Sequence, residues 1–100
     1  MMALVEKQGA RIVVKTPMTV NTVGDLLTET LPMLEGNVEI DFAEVSEVDS
    51  SSISLMFEWL RQAQIKSASI MFSNLPQTAV SLSTLYGVLE MLPQRAPAAH

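Results

Sequence analysis

Hydrophobic and polar positions repeat with two different periods along the chain, and each period predicts a type of element. Two short β-prone runs, residues 4–6 and 11–15, flank Gly9 and predict a hairpin. Between Asn21 and Leu34, leucines and valines recur at steps of three and four, which is the spacing of one helix face. We expect the asparagine to cap this helix and Pro32 to shorten its last turn.

The second half of the chain alternates strand and helix patterns. Residues 38–42 alternate apolar and acidic side chains, as a half-buried strand does. A loop follows, and residues 53–64 carry the clearest helical pattern, before a second strand over residues 67–72. Pro76 is placed to open a third helix that ends near Tyr86. The short apolar run after it is compatible with either type of element.

The predicted order of elements is ββαβαβα. Because each of the later strands is reached through a helix, right-handed crossovers should pair them in parallel. The fold class expected is therefore α/β, a mixed sheet with helices packed over it. A chain of 100 residues allows one domain, which we place at residues 1–93, and the Pro- and Ala-rich residues 94–100 are expected to form a disordered tail.

Composition narrows the possible environments of the chain. No run of eighteen apolar residues exists, so we expect no direct insertion into a membrane. The first residues lack a basic segment followed by a long apolar core, so we expect no secretory signal. The chain contains no cysteine, which fits a reducing cytoplasm. The net charge of -5 and the six dispersed basic residues argue against a nucleic-acid partner.

The charge is unevenly distributed. Between Lys15 and Arg61 the chain has no basic residue and holds nine of its eleven acidic residues. Four of these acids flank the second predicted helix: Glu44, Glu47, Asp49 and Glu58. This interval is either an ordinary solvated surface or an acidic rim that meets a basic partner.

The residues needed for most catalytic chemistry are missing. His100 is the only histidine and is terminal, so neither a Ser-His-Asp set nor a zinc site with two histidines can form. Four ungrouped glycines do not make a phosphate-binding loop. Asp41 and Asp49 form a possible carboxylate pair, but a strand end and a helix cap account for them more simply. We therefore expect no enzyme activity, no cofactor and no metal.

The most informative segment is residues 40–53, which contains the run Asp49, Ser50, Ser51 and Ser52 before the second predicted helix. A carboxylate at this position can accept hydrogen bonds from unpaired backbone N–H groups of the first turn. Hydroxyls at a helix start can also cap it, and the amides there favour an anion such as phosphate. The run is therefore either a cap alone or a cap with a binding role.

This segment resembles the signature of the STAS domain family (sulfate transporter and anti-sigma factor antagonist). That signature is a strand ending in Asp, two spaced apolar residues, and then Asp, Ser or Thr, Ser or Gly, Gly and Leu at a helix start. The likeness covers about residues 4–92. Ser52 departs from the signature, since the family usually has Gly there, and we expect its side chain to restrict the approach of a partner.

Within the family, the short chain and residues 85–93 resemble the MlaB type. Such proteins are cytoplasmic subunits of a phospholipid-transport ABC system and bind its ATPase. The resemblance implies a non-catalytic adaptor, in the cytoplasm or held at the inner membrane through its complex. The residue after the Asp lies at the ATPase interface in that type and is typically Thr, and here it is Ser50.

The resemblance to anti-sigma factor antagonists implies an alternative. In those proteins a partner kinase phosphorylates the serine two places after the Asp, which here is Ser51. Phosphate adds roughly -1.5 to -2 charge at pH 7. Beside Glu47, Asp49 and Glu58 it would repel an anti-sigma factor that accepts the unmodified surface. A ligand-sensing module is a further alternative, although no polar cluster indicates a pocket.

The helical period gives an expectation for the faces of the second helix. At about 100° per residue, one arc should face the sheet and consists of Ile53, Met56, Phe57, Leu60 and Ala63. Leu55 and Trp59 then lie outside that arc. Trp59 either packs under a neighbouring helix or anchors a protein interface. The predicted partner-binding set is Asp49, Ser50, Ser51, Leu55, Glu58, Trp59 and Gln62.

Overall fold

A four-stranded sheet carries the helices of the chain, and the computed structural model describes residues 3–95. The elements are β1 (Val5–Gln8), β2 (Arg11–Val14), α1 (Val23–Thr30), β3 (Asn37–Asp41), α2 (Ser51–Ile65), β4 (Ser69–Ser73) and α3 (Gln77–Leu85). Short 3-10 turns follow α1 (Leu31–Met33) and α3 (Leu89–Met91). The predicted ββαβαβα order is confirmed, and the ambiguous segment after α3 is the second of these turns.

The sheet has the order β1-β2-β3-β4, with β1 antiparallel to β2 and the other pairs parallel. The hairpin closes over Gly9 and Ala10, with Gln8 opposite Arg11. Gly9 has φ +63°, whereas Ala10 does not have a positive φ, which is the pattern of a type II′ turn. Such a turn requires glycine at its first central position, so this residue fixes the hairpin register.

An apolar core fills the space between one face of the sheet and the helices α1 and α2. Ile12, Ile40 and Phe72 are register neighbours on three strands and are fully buried. Phe42 packs between Phe72 and Trp59, with ring centroids 5.6 and 6.2 Å away respectively. The residues of α2 that face this layer hold the helix, and with it the Asp49, Ser50, Ser51 and Ser52 run, against the sheet.

The start of α1 differs from the sequence expectation. Thr22, not Asn21, is the N-cap residue, and its hydroxyl donates to the Pro17 carbonyl at 2.7 Å. The hydroxyl also accepts the Thr19 amide at 2.9 Å, so the cap ties down the loop before the helix. The effect expected of Pro32 is confirmed, because the α-helix ends at Thr30 and continues as a 3-10 turn.

The face of α2 that meets the core is rotated from the predicted arc by about 60° at 100° per residue. Leu55 is 4% exposed and Trp59 is 0% exposed, while Phe57 and Leu60 are only half-buried. The expectation that Leu55 and Trp59 lie outside the buried arc is therefore wrong. The alternative for Trp59 is confirmed, since its indole packs beneath α1 and donates to Thr30 Oγ1 at 2.6 Å.

Two other sequence expectations change. Ser52 is fully buried and its hydroxyl donates to the Asp49 carbonyl at 2.7 Å, so it cannot obstruct a partner. Residues Gln94 and Arg95, assigned to a tail, pair with β4 instead. The Phe72 amide donates to the Pro93 carbonyl and the Arg95 amide to the Phe72 carbonyl, each at 2.8 Å. Residues 96–100 lie outside the described residues.

Candidate functional site

The Asp49 carboxylate joins the start of α2 to the loop before α1. Its Oδ1 accepts the Ser51 amide at 2.8 Å, and its Oδ2 accepts the Val20 amide at 3.0 Å. These hydrogen bonds hold the pKa of Asp49 below its ordinary value, and the bond from the Val20 amide has the largest effect. The predicted cap role of Asp49 is confirmed, and the same carboxylate also fixes a segment 29 residues earlier in the chain.

A short parallel bridge supports this junction. Met18 pairs with Val48, because the Met18 amide donates to the Glu47 carbonyl at 2.9 Å and the Asp49 amide donates to the Met18 carbonyl at 3.2 Å. Met18 itself is 1% exposed and anchors the loop in the core. The two loops that carry Val20 and Asp49 are therefore held together by backbone bonds as well as by the carboxylate.

The three serines take three different environments. Ser50 is the N-cap residue, is exposed, and its side chain makes no capping hydrogen bond. Ser51 is half-buried at the first position of the helix, whereas Ser52 points into the core. Only Ser50 and Ser51 are thus accessible to a partner, and Asp49 rather than a serine caps the helix.

A groove of about 350 Å³ runs between α1 and α2 beside these serines. Its lining from α2 and its N-terminal turn is Ser51, Ser54, Leu55 and Glu58, and its lining from α1 is Val23, Gly24 and Leu27. The groove is open and mainly apolar, with the buried Leu55 side chain at its base. Leu55, one of the predicted partner-binding residues, is therefore part of the groove lining and does not project from the surface.

Glu58 is fixed in position at the groove edge. Arg61 contacts both carboxylate oxygens, at 3.0 and 2.5 Å, and Gln62 donates to Oε2 at 2.8 Å. The Arg61 hydrogen bonds are the main cause of the lowered pKa of Glu58, which falls to about 2. The carboxylate thus keeps its negative charge at any physiological pH, and Gln62 acts on the site by orienting it.

The predicted acidic rim is narrower than the sequence indicated. Lys15 pairs with Glu44 at 2.9 Å, on the side of the sheet near Glu6 and away from the groove. Glu58 forms an ion pair with Arg61, and Asp49 accepts hydrogen bonds from backbone amides. Within residues 3–95, Glu47 has no ion-pair partner. Of the four predicted rim residues, Glu58 therefore lines the groove and Asp49 lies beside its Ser51 end.

Asp41, the other candidate carboxylate, has a structural role at the end of β3. Its Oδ1 accepts the Ala43 amide at 2.9 Å and the Asn74 side-chain amide at 2.8 Å. Arg11 approaches its second oxygen at 3.6 Å. The strand-end role expected for Asp41 is confirmed, because it joins the chain leaving β3 to the chain leaving β4.

Sequence reasoning missed the residues that α1 and its preceding loop contribute to the site. Val20 is 69% exposed although it is apolar, and it lies beside Asp49 at one end of the groove. Val23, Gly24 and Leu27 form the opposing groove wall. The glycine at position 24, inside a helical pattern that disfavours it, was the available signal. No sequence signal placed these residues beside Ser51, because the contact depends on how α1 packs on α2.

Residues 3–95 lack two kinds of feature. No helix in residues 3–95 is long and apolar enough to cross a membrane. The same residues contain no cluster of three or more His, Cys, Asp or Glu side chains that could hold a metal ion.

Solved structures of anti-sigma factor antagonists share this fold. A STAS domain protein from Planctomyces limnophilus matches with a TM-score of 0.70 and 15% identity, over 94% of this chain and 89% of its own. The unphosphorylated form of the anti-sigma factor antagonist SpoIIAA matches at 0.69 and 13%, over 92% and 86%. Its phosphorylated form, from Bacillus, matches at 0.61 and 13%, over 92% and 89%.

Sequence comparison identifies the family. No curated protein matches the chain significantly. A family model described as MlaB, STAS domain, matches residues 3–93, which include every strand and helix of the fold. Because the match extends over nearly the whole chain and the fold agrees with it, the protein belongs to the STAS domain family.

Proposed function

We propose that the protein is a non-catalytic adaptor that binds the ATPase subunit of an ABC phospholipid-transport system and supports its assembly or activity. The binding surface is the start of α2 with Ser50 and Ser51, together with the adjoining groove edge at Glu58. Gln62 orients that carboxylate, and Asp49 fixes the helix start. The complex would hold the protein in the cytoplasm, at the inner membrane.

One observation carries the proposal. The segment with the family signature ends in an exposed helix start beside an open groove, and Ser50 there makes no side-chain hydrogen bond that the fold requires. A surface residue without an internal role is free to meet a partner. The MlaB description of the matching family model supports the choice of an ATPase as that partner.

Substitution of Ser50 tests this function. Ser50→Arg places a long cationic side chain on the surface without removing a capping bond, so the fold should be retained. We expect the variant to lose co-purification with its ABC ATPase partner, and to lower ATP hydrolysis by the assembled complex to that of the complex lacking this protein. Unchanged binding by Ser50→Arg would contradict the proposed surface.

The control is Gln64→Arg, which makes the same kind of change on an exposed position of the same helix. It lies about 21 Å along the axis from Ser50 at 1.5 Å per residue, so it should bind like the wild-type protein. Trp59→Ala is unsuitable as an interface variant. Because Trp59 is 0% exposed, that change would test stability rather than binding.

A second function, an antagonist of an anti-sigma factor controlled by phosphorylation at Ser51, has a specific observation in its favour. Ser51 is half-buried and lines the groove, and Glu58 lines the same groove. Phosphate at this position would add negative charge beside Asp49 and Glu58 and would repel a partner that binds the unmodified surface. SpoIIAA, which shares the fold, has been solved in unphosphorylated and phosphorylated forms.

Incubation with ATP and its cognate kinase separates the two functions. Mass spectrometry would find phosphate on Ser51, and none on the Ser51→Ala variant, if the protein is such an antagonist. An unmodified Ser51, together with ATPase binding by the same preparation, would leave the adaptor function alone.

A further inference from the structure

Gly24 lies in the first turn of α1, in a place where the fold itself does not require glycine. It is not among the residues with positive φ, and a Cβ built on it would meet no atom of this chain within 4 Å. Glycine is a poorer helix former than alanine at such a position. The other common reason for glycine is close approach of another molecule to the backbone.

The missing side chain opens the wall of the groove between α1 and α2. Gly24 stands between Val23 and Leu27 on one wall, opposite Leu55 and Ser54. The groove is mainly apolar, and the backbone of α1 is bare at Gly24. A side chain from outside could enter there and contact apolar groups on both walls.

Val20 extends the apolar surface at the end of the groove. It is 69% exposed, and the Asp49 carboxylate that accepts its amide at 3.0 Å also accepts the amide of Ser51. A rigidly held, exposed valine beside the helix start offers a contact that costs little conformational entropy on binding.

The charges around the groove indicate the chemistry of the occupant. Glu58 lines it, Asp49 lies beside its Ser51 end, and Arg61 of α2 is paired with Glu58. The Arg61–Glu58 pair is exposed, so a cation from a partner can compete for Glu58 at low cost. A partner with Lys or Arg beside an apolar residue fits this arrangement.

We infer that the groove binds a basic segment of the ATPase, whose apolar side chain enters at Gly24 and whose neighbouring residues pack on Val20. This inference rests on the proposed function, because it names the partner's contact on the same surface. It differs from the sequence expectation in adding apolar contacts from α1 and its preceding loop and in leaving out Trp59, which is buried.

Gly24→Leu tests the groove directly, because a Cβ at this position meets no atom of this chain within 4 Å and the longer side chain would occupy the groove. We expect the dissociation constant for the cognate ATPase subunit to rise by about ten-fold or more. Thr28→Leu, at an exposed position one turn further along α1 and outside the groove, should bind like the wild-type protein. Thermal unfolding of both variants shows whether they are folded.

A second variant keeps the test valid if Gly24→Leu is unstable. Val20→Asp changes an exposed loop side chain and should weaken binding to a similar extent, through lost apolar contact and added charge near Asp49. Binding of the wild-type protein should also weaken as salt concentration rises, because the contact pairs a basic segment with acidic groups.

The outcomes separate the two proposals. If the wild-type protein does not bind the ATPase, the proposed function fails. If it binds, and Ser50→Arg does not, but Gly24→Leu and Val20→Asp bind normally, then the groove inference alone is overturned. Binding that is insensitive to salt would overturn the assignment of a basic segment.

Discussion

A buried hydrogen bond connects the two helices that form the groove. Trp59 Nε1 of α2 donates to Thr30 Oγ1 of α1, and that hydroxyl donates in turn to the Leu26 carbonyl at 2.8 Å. Both side chains are fully buried. An indole N–H in the core requires an acceptor, so Thr30 determines where the tryptophan can lie and hence how α1 packs on α2.

Thr30→Val should therefore destabilise the protein although it adds an apolar group to the core. The substitution leaves the indole N–H of Trp59 buried without an acceptor, which costs about 1–3 kcal/mol in the free energy of unfolding. Thr28→Val is the matched control, because Thr28 makes the same backbone bond four residues back, at 3.1 Å, on the exposed side of the helix.

Urea unfolding followed by the fluorescence of Trp59, the only tryptophan, measures both variants. The control should change the free energy by less than about 0.5 kcal/mol beyond any effect of helix propensity. Equal losses for the two variants would mean that the Trp59 hydrogen bond contributes nothing to stability.

At the scale of elements, the start of α2 depends on one carboxylate that serves two segments. Asp49→Asn keeps one side-chain acceptor and replaces the other by an amide donor, so either Ser51 or Val20 loses its partner. We expect a lower urea midpoint at pH 7 and faster hydrogen exchange of the Val20 amide. Glu47→Gln, an equal loss of charge at an exposed neighbour, should leave both quantities unchanged.

The effect of Asp49 should depend on pH in a defined direction. The Val20 and Ser51 amides depress its pKa in the folded state below the ordinary value of 3.8. The stabilisation is thus complete above that value and is lost as the pH falls through the lower, folded pKa. The difference in midpoint between wild type and Asp49→Asn should accordingly shrink as pH decreases below 3.8, and a difference that grows would contradict the role.

The elements themselves could be predicted from local patterns, but their contacts could not. Periodicity located α2 to within two residues at its N-terminal end, yet placed its buried face about 60° from the observed one. The pattern weighs Leu60 and Phe57 as heavily as Leu55 and Trp59. The tertiary partner Thr30, 29 residues from Trp59, decides which of them is buried.

The dependence on long-range contacts also explains which residues of the site could be predicted. Asp49 and the serines were found because capping is local in sequence. Val20 and Gly24 were missed because they reach the site only through the Met18–Val48 bridge and the packing of α1, both long-range contacts.

At the scale of the whole molecule, the two faces of the sheet have different roles. One face carries the core and the helices, and the other carries a charged network centred on Glu39. This carboxylate accepts the Ser73 hydroxyl at 2.7 Å and pairs with Arg95 at 2.6 Å and Arg11 at 3.5 Å. The pKa of Glu39 is lowered, chiefly by the hydrogen bond from the Ser73 hydroxyl and then by Arg95.

Arg95 connects this charged network to the outer edge of the sheet. Its backbone amide pairs with the Phe72 carbonyl, so the segment after Leu92 acts as a short fifth strand along the outer edge of β4. An uncovered strand edge is a site for pairing with another chain. The ion pair with Glu39 ties the segment across β4 to the next strand and so helps to keep the edge covered.

Arg95→Gln should loosen this edge without affecting the core. We expect hydrogen exchange of the Phe72 amide, which donates to the Pro93 carbonyl, to accelerate several-fold, since the opening is local and not global. Arg61→Gln removes an exposed arginine whose ion pair lies within α2, and should leave that amide unchanged. Glu39→Gln should reproduce the effect of Arg95→Gln, and the double variant should add little, because the two residues act through one contact. Independent, additive effects on the Phe72 amide would show that the two residues do not act through one contact, and no effect of either change would show that the segment is held by its backbone bonds alone.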